Sequence, residues 1–297
     1  MRHRILNDQP VSRLAIWARR VALFSLAATF VAIIIVRSGA LDIVPALSTL
    51  GGALVLACVG ILLALASCVV IWREGIGGGR YAATAFLIGF ALIAYPAYLG
   101  VKAYRLPAIY DVTTDPIDPP QFDAIARLRP RDANPVAYAG LYAAELQNAA
   151  YPDIAPDETT ATPQEAYNAV MKVIAKRRWR VVDARPPQAA LPRVADARQS
   201  SDPAMRDGLI EAIARTPILG FRDDVVVRVR ATTDGARIDV RSASRYGRHD
   251  FGTNASRVRN LIDNVDNVLA TPAPERPEKK PVPPPSRQPE GKASAKR

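Results

Sequence analysis

The sequence predicts a membrane-anchored α+β protein: three N-terminal transmembrane helices, then a two-layer domain with an antiparallel sheet and two or more helices on one face. Three observations carry this. Val21–Val36, Ile43–Trp72 and Tyr81–Val101 are uncharged apolar stretches of 16, 30 and 21 residues, and about 20 apolar residues span a bilayer core as helix. Three runs between residues 209 and 244 alternate with period two, the mark of half-buried strands. Two amphipathic helical patterns flank them, one opening at Thr162 and one running from about Gly252 to Leu269.

The resulting division is a leader at 1–13, a membrane region at 14–101 with spans at about 14–36, 49–72 and 81–101, a folded domain at 105–270, and a tail at 271–297. A first span from Leu14 includes Arg19 and Arg20, which can snorkel to the headgroups. The same segment also resembles a signal peptide, with Ser38-Gly39-Ala40 as a cleavage candidate, but its basic front and apolar core are long for one. Arg2, Arg4, Arg13, Arg19 and Arg20 precede the first span, and Arg73 and Arg80 lie between the second and third. Basic residues favour the cytoplasmic side. That places the N-terminus inside and everything after the third span outside, with Lys102 and Arg105 arguing mildly the other way. For a bacterial inner-membrane protein the domain is then periplasmic. The spans read as anchors: apart from Arg19 and Arg20, they hold no ionisable group of the kind a transport path needs. Pro96 is expected to kink the third, and Gly51-Gly52, Gly60 and Gly89 to let helices approach closely.

The formal charge of +11 divides into +7 for residues 1–105, zero for 106–270 and +4 for the tail. The folded domain is neutral, so no nucleic-acid footprint is implied. Cys58 and Cys68 lie ten residues apart in the second span, about 15 Å along its axis, too far to pair.

In the domain, Ile109–Thr114 reads as a short strand stopped by Asp115-Pro116 and Asp118-Pro119-Pro120, and 137–150 as partly helical. Thr162-Pro163-Gln164-Glu165 is a helix start, with Tyr167, Val170, Met171 and Ile174 as its buried stripe. A strand Trp179–Ala184 and a loop Pro186–Pro203 follow. Three strands come next, at Leu209–Thr216, Asp224–Thr232 and Arg237–Ser244, with Asp234-Gly235 as a hairpin turn. One sheet face is apolar. The other carries Glu211, Arg228, Arg230, Arg237, Asp239 and Arg241, expected as cross-strand ion pairs on a solvated face. The closing helix buries Ala255, Val258, Leu261, Ile262, Val265 and Leu269. The tail, with 8 prolines in 27 residues, is expected to be disordered.

Catalytic arrangements are mostly absent. The domain has one histidine, His249, and no cysteine, so no transition-metal site is expected and no cofactor is implied. Neither a phosphate-binding glycine loop nor a Gly-x-Ser-x-Gly elbow occurs. Asp223-Asp224 are strand neighbours that point to opposite faces, a poor acid/base pair. The constellation that stands out is the junction Arg241–Asn254 between last strand and last helix. Asp250 is the expected helix cap there, and helix-start N–H groups beside basic side chains can hold a carboxylate or phosphate. The candidate anion site is Arg241, Ser244, Arg245, Arg248, Asp250 and Asn254, supported by ion pairs of Asp223, Asp224 and Arg228. The competing reading gives Asp250 to the helix cap and the arginines to Asp223 and Asp224.

Ile210-Glu211-Ala212, Gly220 through Arg228, and Arg241 through Asn254 resemble domain-of-unknown-function family 1499. Asp111-Val112-Thr113-Thr114-Asp115 with Pro119-Pro120, and Tyr151-Pro152-Asp153-Ile154, fit the same pattern, over about residues 105–270. The resemblance implies a bacterial origin, since members occur widely in proteobacteria and often carry membrane spans. It implies no activity. The expected role is therefore a non-enzymatic envelope protein, lodged in membrane lipid, whose domain binds an anionic ligand or an envelope protein partner. A structural subunit of a membrane complex is the alternative. A hydrolase or transferase using Asp223, Asp224, Asp250 and His249 is the third reading.

Overall fold

The computed structural model describes residues 10–188 and 207–271. Most of the leader, most of the Pro186–Pro203 loop and the Pro-rich tail beyond Thr271 lie outside the described residues.

Three helices, α1 (Arg13–Ser38), α2 (Ile43–Glu74) and α3 (Gly79–Arg105), are each long and apolar enough to cross a membrane, which makes this a multi-pass membrane protein. The helix α2 starts at Ile43, ahead of its expected span, because Asp42 takes the N-cap and Pro45 fits a first turn. The bundle is joined by small residues. Ala18 and Ala22 of α1 meet Ala64 of α2 and Ala85 of α3, and the Ser25 hydroxyl donates to the Ala53 carbonyl at 2.8 Å. Two of the expected close approaches are present. A Cβ on Gly89 would lie 2.5 Å from the Ile61 side chain, and one on Gly60 would lie 3.5 Å from Ala22. Gly51 and Gly52 do not take part: a Cβ there would meet nothing within 4 Å.

The domain runs β1 (Asp111–Thr113), α4 (Gly140–Ala150), β2 (Asp157–Thr159), α5 (Pro163–Lys176), β3 (Arg180–Arg185), β4 (Gly208–Arg215), β5 (Arg222–Ala231), β6 (Ala236–Ser244) and α6 (Thr253–Ala270). The sheet is antiparallel, in the order β1-β6-β5-β4-β3, and β2 lies along β6 beyond β1. The helices α5 and α6 cover one face, where Ile210, Ala212, Val225, Val227, Val229, Ile238 and Val240 form the main core. The expected helix start at Thr162 is a full capping box with Pro163 in the first turn. Strand β2 carries no hydrophobic alternation and is unannounced in the sequence. It fits because Gly235, at the β5–β6 turn, has no side chain: a Cβ would sit 2.1 Å from the Thr159 carbonyl oxygen.

The charged face of the sheet is not solvated, contrary to expectation. The irregular segment 115–138 crosses it and buries Glu211, Asp239 and Arg241 completely. Phe122 and Ile125 of that segment pack on Ile213, Val226 and Ala243. These three apolar residues sit among the charges on the same face, and they are what give the cover something to bury.

Candidate functional site

The strand alternation sends Asp223 and Asp224 to opposite sides of the sheet, as their adjacency requires. Asp223 faces α6 and pairs with Arg257, which also reaches Ser242 and Asn254. Asp224 faces the covered side. It receives Arg245 Nη2 at 2.7 Å and Arg129 Nε at 2.7 Å, and all three side chains are nearly inaccessible. Next to it, Arg241 grips Asp111 with Nε at 3.0 Å and Nη2 at 2.6 Å, and gives two further protons to the carbonyls of Pro120 and Val136. Arg228 pairs with Asp239 directly across the strands at 3.1 Å and with Asp118 of the covering segment. Arg230 and Arg237 also reach Asp239. Glu211 meets Arg185 of the neighbouring strand β3 only at 3.9 Å. Its carboxylate accepts the backbone N–H groups of Asp123, Ala124 and Ile125 at 2.8–3.0 Å.

At the β6–α6 junction, Asp250 caps the helix from two residues before the N-cap position, which Gly252 holds with φ 75°. Its two oxygens accept the N–H groups of Gly252 and Asn254 at 2.9 and 2.7 Å. Burial pushes this carboxyl above its ordinary value, against the pull of the two amides. The Asn254 side chain accepts from Ser242 and donates to the Tyr110 carbonyl and the Ser244 hydroxyl. His249 accepts the Phe251 N–H at Nδ1, 2.8 Å, so Nε2 carries the proton and donates to the Leu106 carbonyl at 3.1 Å.

The six candidate anion-site residues therefore separate. Arg241 and Arg245 are spent on Asp111 and Asp224, and the helix-start amides on Asp250. Asn254 and Ser244 are internal links. Arg248 alone is exposed, and it pairs with no carboxylate among the described residues. The same bookkeeping occupies Asp223, Asp224, Asp250 and His249. Among the described residues no cluster suits a metal ion.

Arg248 opens onto a cavity of about 380 Å³ where the domain meets the membrane region. Ile43 and Leu47 of α2 and Tyr95 and Leu99 of α3 form its lower wall. Its upper wall is the β4–β5 turn, with Pro217, Ile218, Leu219 and Phe221, and the β6–α6 junction, with Ser244, Arg248, His249 and Asp250. Arg222 and Asp223 complete the polar side. The turn is held by Arg37, at the end of α1, whose guanidinium donates to the Pro217 and Ile218 carbonyls. The chemistry is amphipathic: aliphatic and aromatic surface below, cations and amide dipoles above. Sequence reasoning missed the apolar wall. Its one signal was Pro217-Ile218-Leu219, an apolar turn between two strands where polar residues are the rule. Of two larger hollows, one borders residues outside the described part, beside Pro186–Gln188, and the other is an open trough between α5 and α6.

Neither the curated proteins nor the solved structures yield a match to this chain. The family described as "Protein of unknown function (DUF1499)" matches residues 111–265, from the first residue of β1 into the last turns of α6. That span holds the whole sheet, both covering layers and the Arg–Asp pairs, over more than half of the chain. The protein belongs to the DUF1499 family, with its family domain carried on three membrane helices.

Proposed function

We propose that this protein is a non-enzymatic binding module of the bacterial inner membrane, with its domain on the periplasmic side, and that it takes an anionic amphiphile in the cavity between α2, α3 and the domain. The single observation that supports this most is the meeting of Arg248, a cation without a carboxylate partner among the described residues, with the outer ends of two apolar helices in one cavity of about 380 Å³. That volume lies within the ligand-pocket range of about 300–1,000 Å³. An acidic headgroup pairs with Arg248, and its acyl or aromatic portion lies along Leu47 and Leu99. The arginine-rich start of the chain supports the orientation, since it favours a cytoplasmic N-terminus.

The test is native mass spectrometry of the full-length protein released gently from its own membrane. The expected result is a reproducible extra mass of lipid size, lost in both Arg248→Ala and Leu99→Trp. Arg248 is exposed and Leu99 lines the cavity from the last two turns of α3, only partly buried, so both variants keep the fold. An adduct that survives both changes, or no adduct in the wild type, overturns the reading. Co-released polypeptides in place of a small adduct move the weight to a structural subunit of a membrane complex.

A further inference from the structure

A second feature lies at the same end of the sheet but outside that cavity's apolar wall. Arg177, Arg178, Arg180, Arg215 and Arg222 line a cleft of about 220 Å³ around Trp179 and Ile213, and no acidic residue lines it. None of the five forms a salt bridge with any described residue. This sets them apart from Arg241, Arg245 and Arg257, each of which owns a buried carboxylate.

We propose that this cleft is a binding site for a phosphate-bearing anion. Arg215 and Arg222 are direct cross-strand partners at the membrane end of β4 and β5. Like charges placed opposite each other destabilise a sheet. Arg180, in register with Ile213 on β3, adds a third strand cation to the same face. Burial and the neighbouring Arg215, Arg245 and Arg180 hold the Arg222 guanidinium below its ordinary value, so the repulsion acts on a partly desolvated group. The α5–β3 turn contributes the remaining two. The C-terminal end of α5 accounts for some positive charge there, because it carries the negative pole of the helix, and Arg177 donates to the Asn260 carbonyl. That explanation does not extend to the strand arginine Arg180; Arg215 and Arg222 also border a neighbouring hollow with the C-terminal end of α1, Asp42 and Asp132, but form no salt bridge there. Planar guanidinium forks suit phosphate oxygens, which they can engage two at a time. The cleft holds the volume of several waters, at about 30 Å³ each, enough for a phosphate or diphosphate group.

Two sources share this chemistry: a lipid headgroup phosphate and a soluble phosphate anion. Full-length protein in nanodiscs of neutral phosphatidylcholine, titrated calorimetrically with inorganic pyrophosphate at constant ionic strength, tests the site. The expected result is one-to-one binding that weakens by roughly tenfold or more in R180Q/R215Q. Neither residue lines the amphiphile cavity, so failure here and failure of the proposed function are separable. Without pyrophosphate the double variant should melt at or above the wild-type temperature, because a repulsion has been removed. Addition of pyrophosphate should raise the melting temperature of the wild type only. Absence of wild-type binding, or equal binding by both proteins, overturns the site. Should R180Q/R215Q fail to fold, Arg215→Lys reads the same question: it keeps the charge, loses the fork, and is expected to bind more weakly than wild type, so unchanged binding overturns the site. Repeating the titration in phosphatidylglycerol nanodiscs separates the sources: lost pyrophosphate binding assigns the cleft to lipid phosphate, and retained binding assigns it to a soluble anion.

Discussion

The two faces of the sheet are both buried, by opposite means. Under α5 and α6 the face is valine, isoleucine and alanine, and its stabilisation is the non-directional removal of apolar surface from water. Under segment 115–138 the face is a lattice of arginines and carboxylates with a few apolar residues between them. The difference follows from what covers each face. A helix satisfies its own backbone, so an apolar surface suffices beneath it. An irregular segment does not, and its buried N–H and C=O groups need partners. The lattice supplies them: Glu211 accepts three amides, Arg241 donates to the Pro120 and Val136 carbonyls, and Arg129 donates to those of Asn134 and Pro135. The ions on this face serve as a template that fixes the path of a loop.

The largest expected effect comes from cutting that template. Arg241→Ala leaves the Asp111 carboxylate buried and uncompensated, and should cost about 3–5 kcal/mol. Hydrogen exchange of the β5 and β6 amides in the full-length protein measures it. Arg241→Lys should recover little, because one ammonium cannot replace a fork that serves Asp111 and two carbonyls. On the helix face, Val227→Ala removes two buried methyl groups and should cost about 2 kcal/mol by the same measurement. If Val227→Ala proves the costlier of the two, the polar lattice is not what holds the cover, and the contrast between the faces fails.

A smaller effect sharpens the contrast at the sheet's edge, where a polar group was left without a donor. Asp157 Oδ2 in β2 is buried without a hydrogen-bond partner among the described residues, with Asp266 of α6 facing it. Burial first, then Asp266 and Glu158, push this carboxyl up from its ordinary 3.8 to about 6. A carboxyl that holds its proton more tightly when folded adds stability at low pH, and that contribution is lost as pH rises from about 4 through about 6. Asp157→Asn should therefore melt higher than wild type near pH 7, by about 2–4 °C. That shift corresponds to about 1 kcal/mol in a domain of this size, discounted for a half-exposed position. The melting temperatures of the two proteins should converge below about pH 4.5. A wild-type melting temperature that is flat between these limits would remove Asp157 as the cause. Arg248→Ala should change stability least, within about 0.5 kcal/mol, whereas Arg245→Ala, three residues earlier in the same junction, belongs with the Arg241 class. Calorimetric melting of the two variants side by side checks this.

The period-two runs and the helical stripes made the strands β4, β5, β6 and the helices α5 and α6 legible, because each buries one face at its natural spacing. Strand β2 was not, since Asp157-Glu158-Thr159 pairs through backbone alone. The cover over the charged face was hidden for a related reason. Charges in a strand read as solvent-facing, and only the carbonyls of a loop remote in sequence reveal why they are inside. At the junction, the sequence contained the right residues but did not sort them. Arg245 and Arg248 carry the same side chain, and only the position of Asp224 separates a structural arginine from an available one.

The link between α3 and β1 is five residues long, from Leu106 to Tyr110, so it can extend no more than about 18 Å. The His249 hydrogen bond to Leu106 and the Arg37 hydrogen bonds to the β4–β5 turn shorten that freedom further. A domain lodged at fixed height cannot sweep the aqueous space beside it. It searches in two dimensions, moving with its own helices, so its encounters with other membrane components scale with what the bilayer surface carries per unit area. On the proposed amphiphile reading, dilution of the surrounding solution would leave the occupancy of the cavity between α2, α3 and the domain unchanged, and thinning the amphiphile within the membrane plane would empty it.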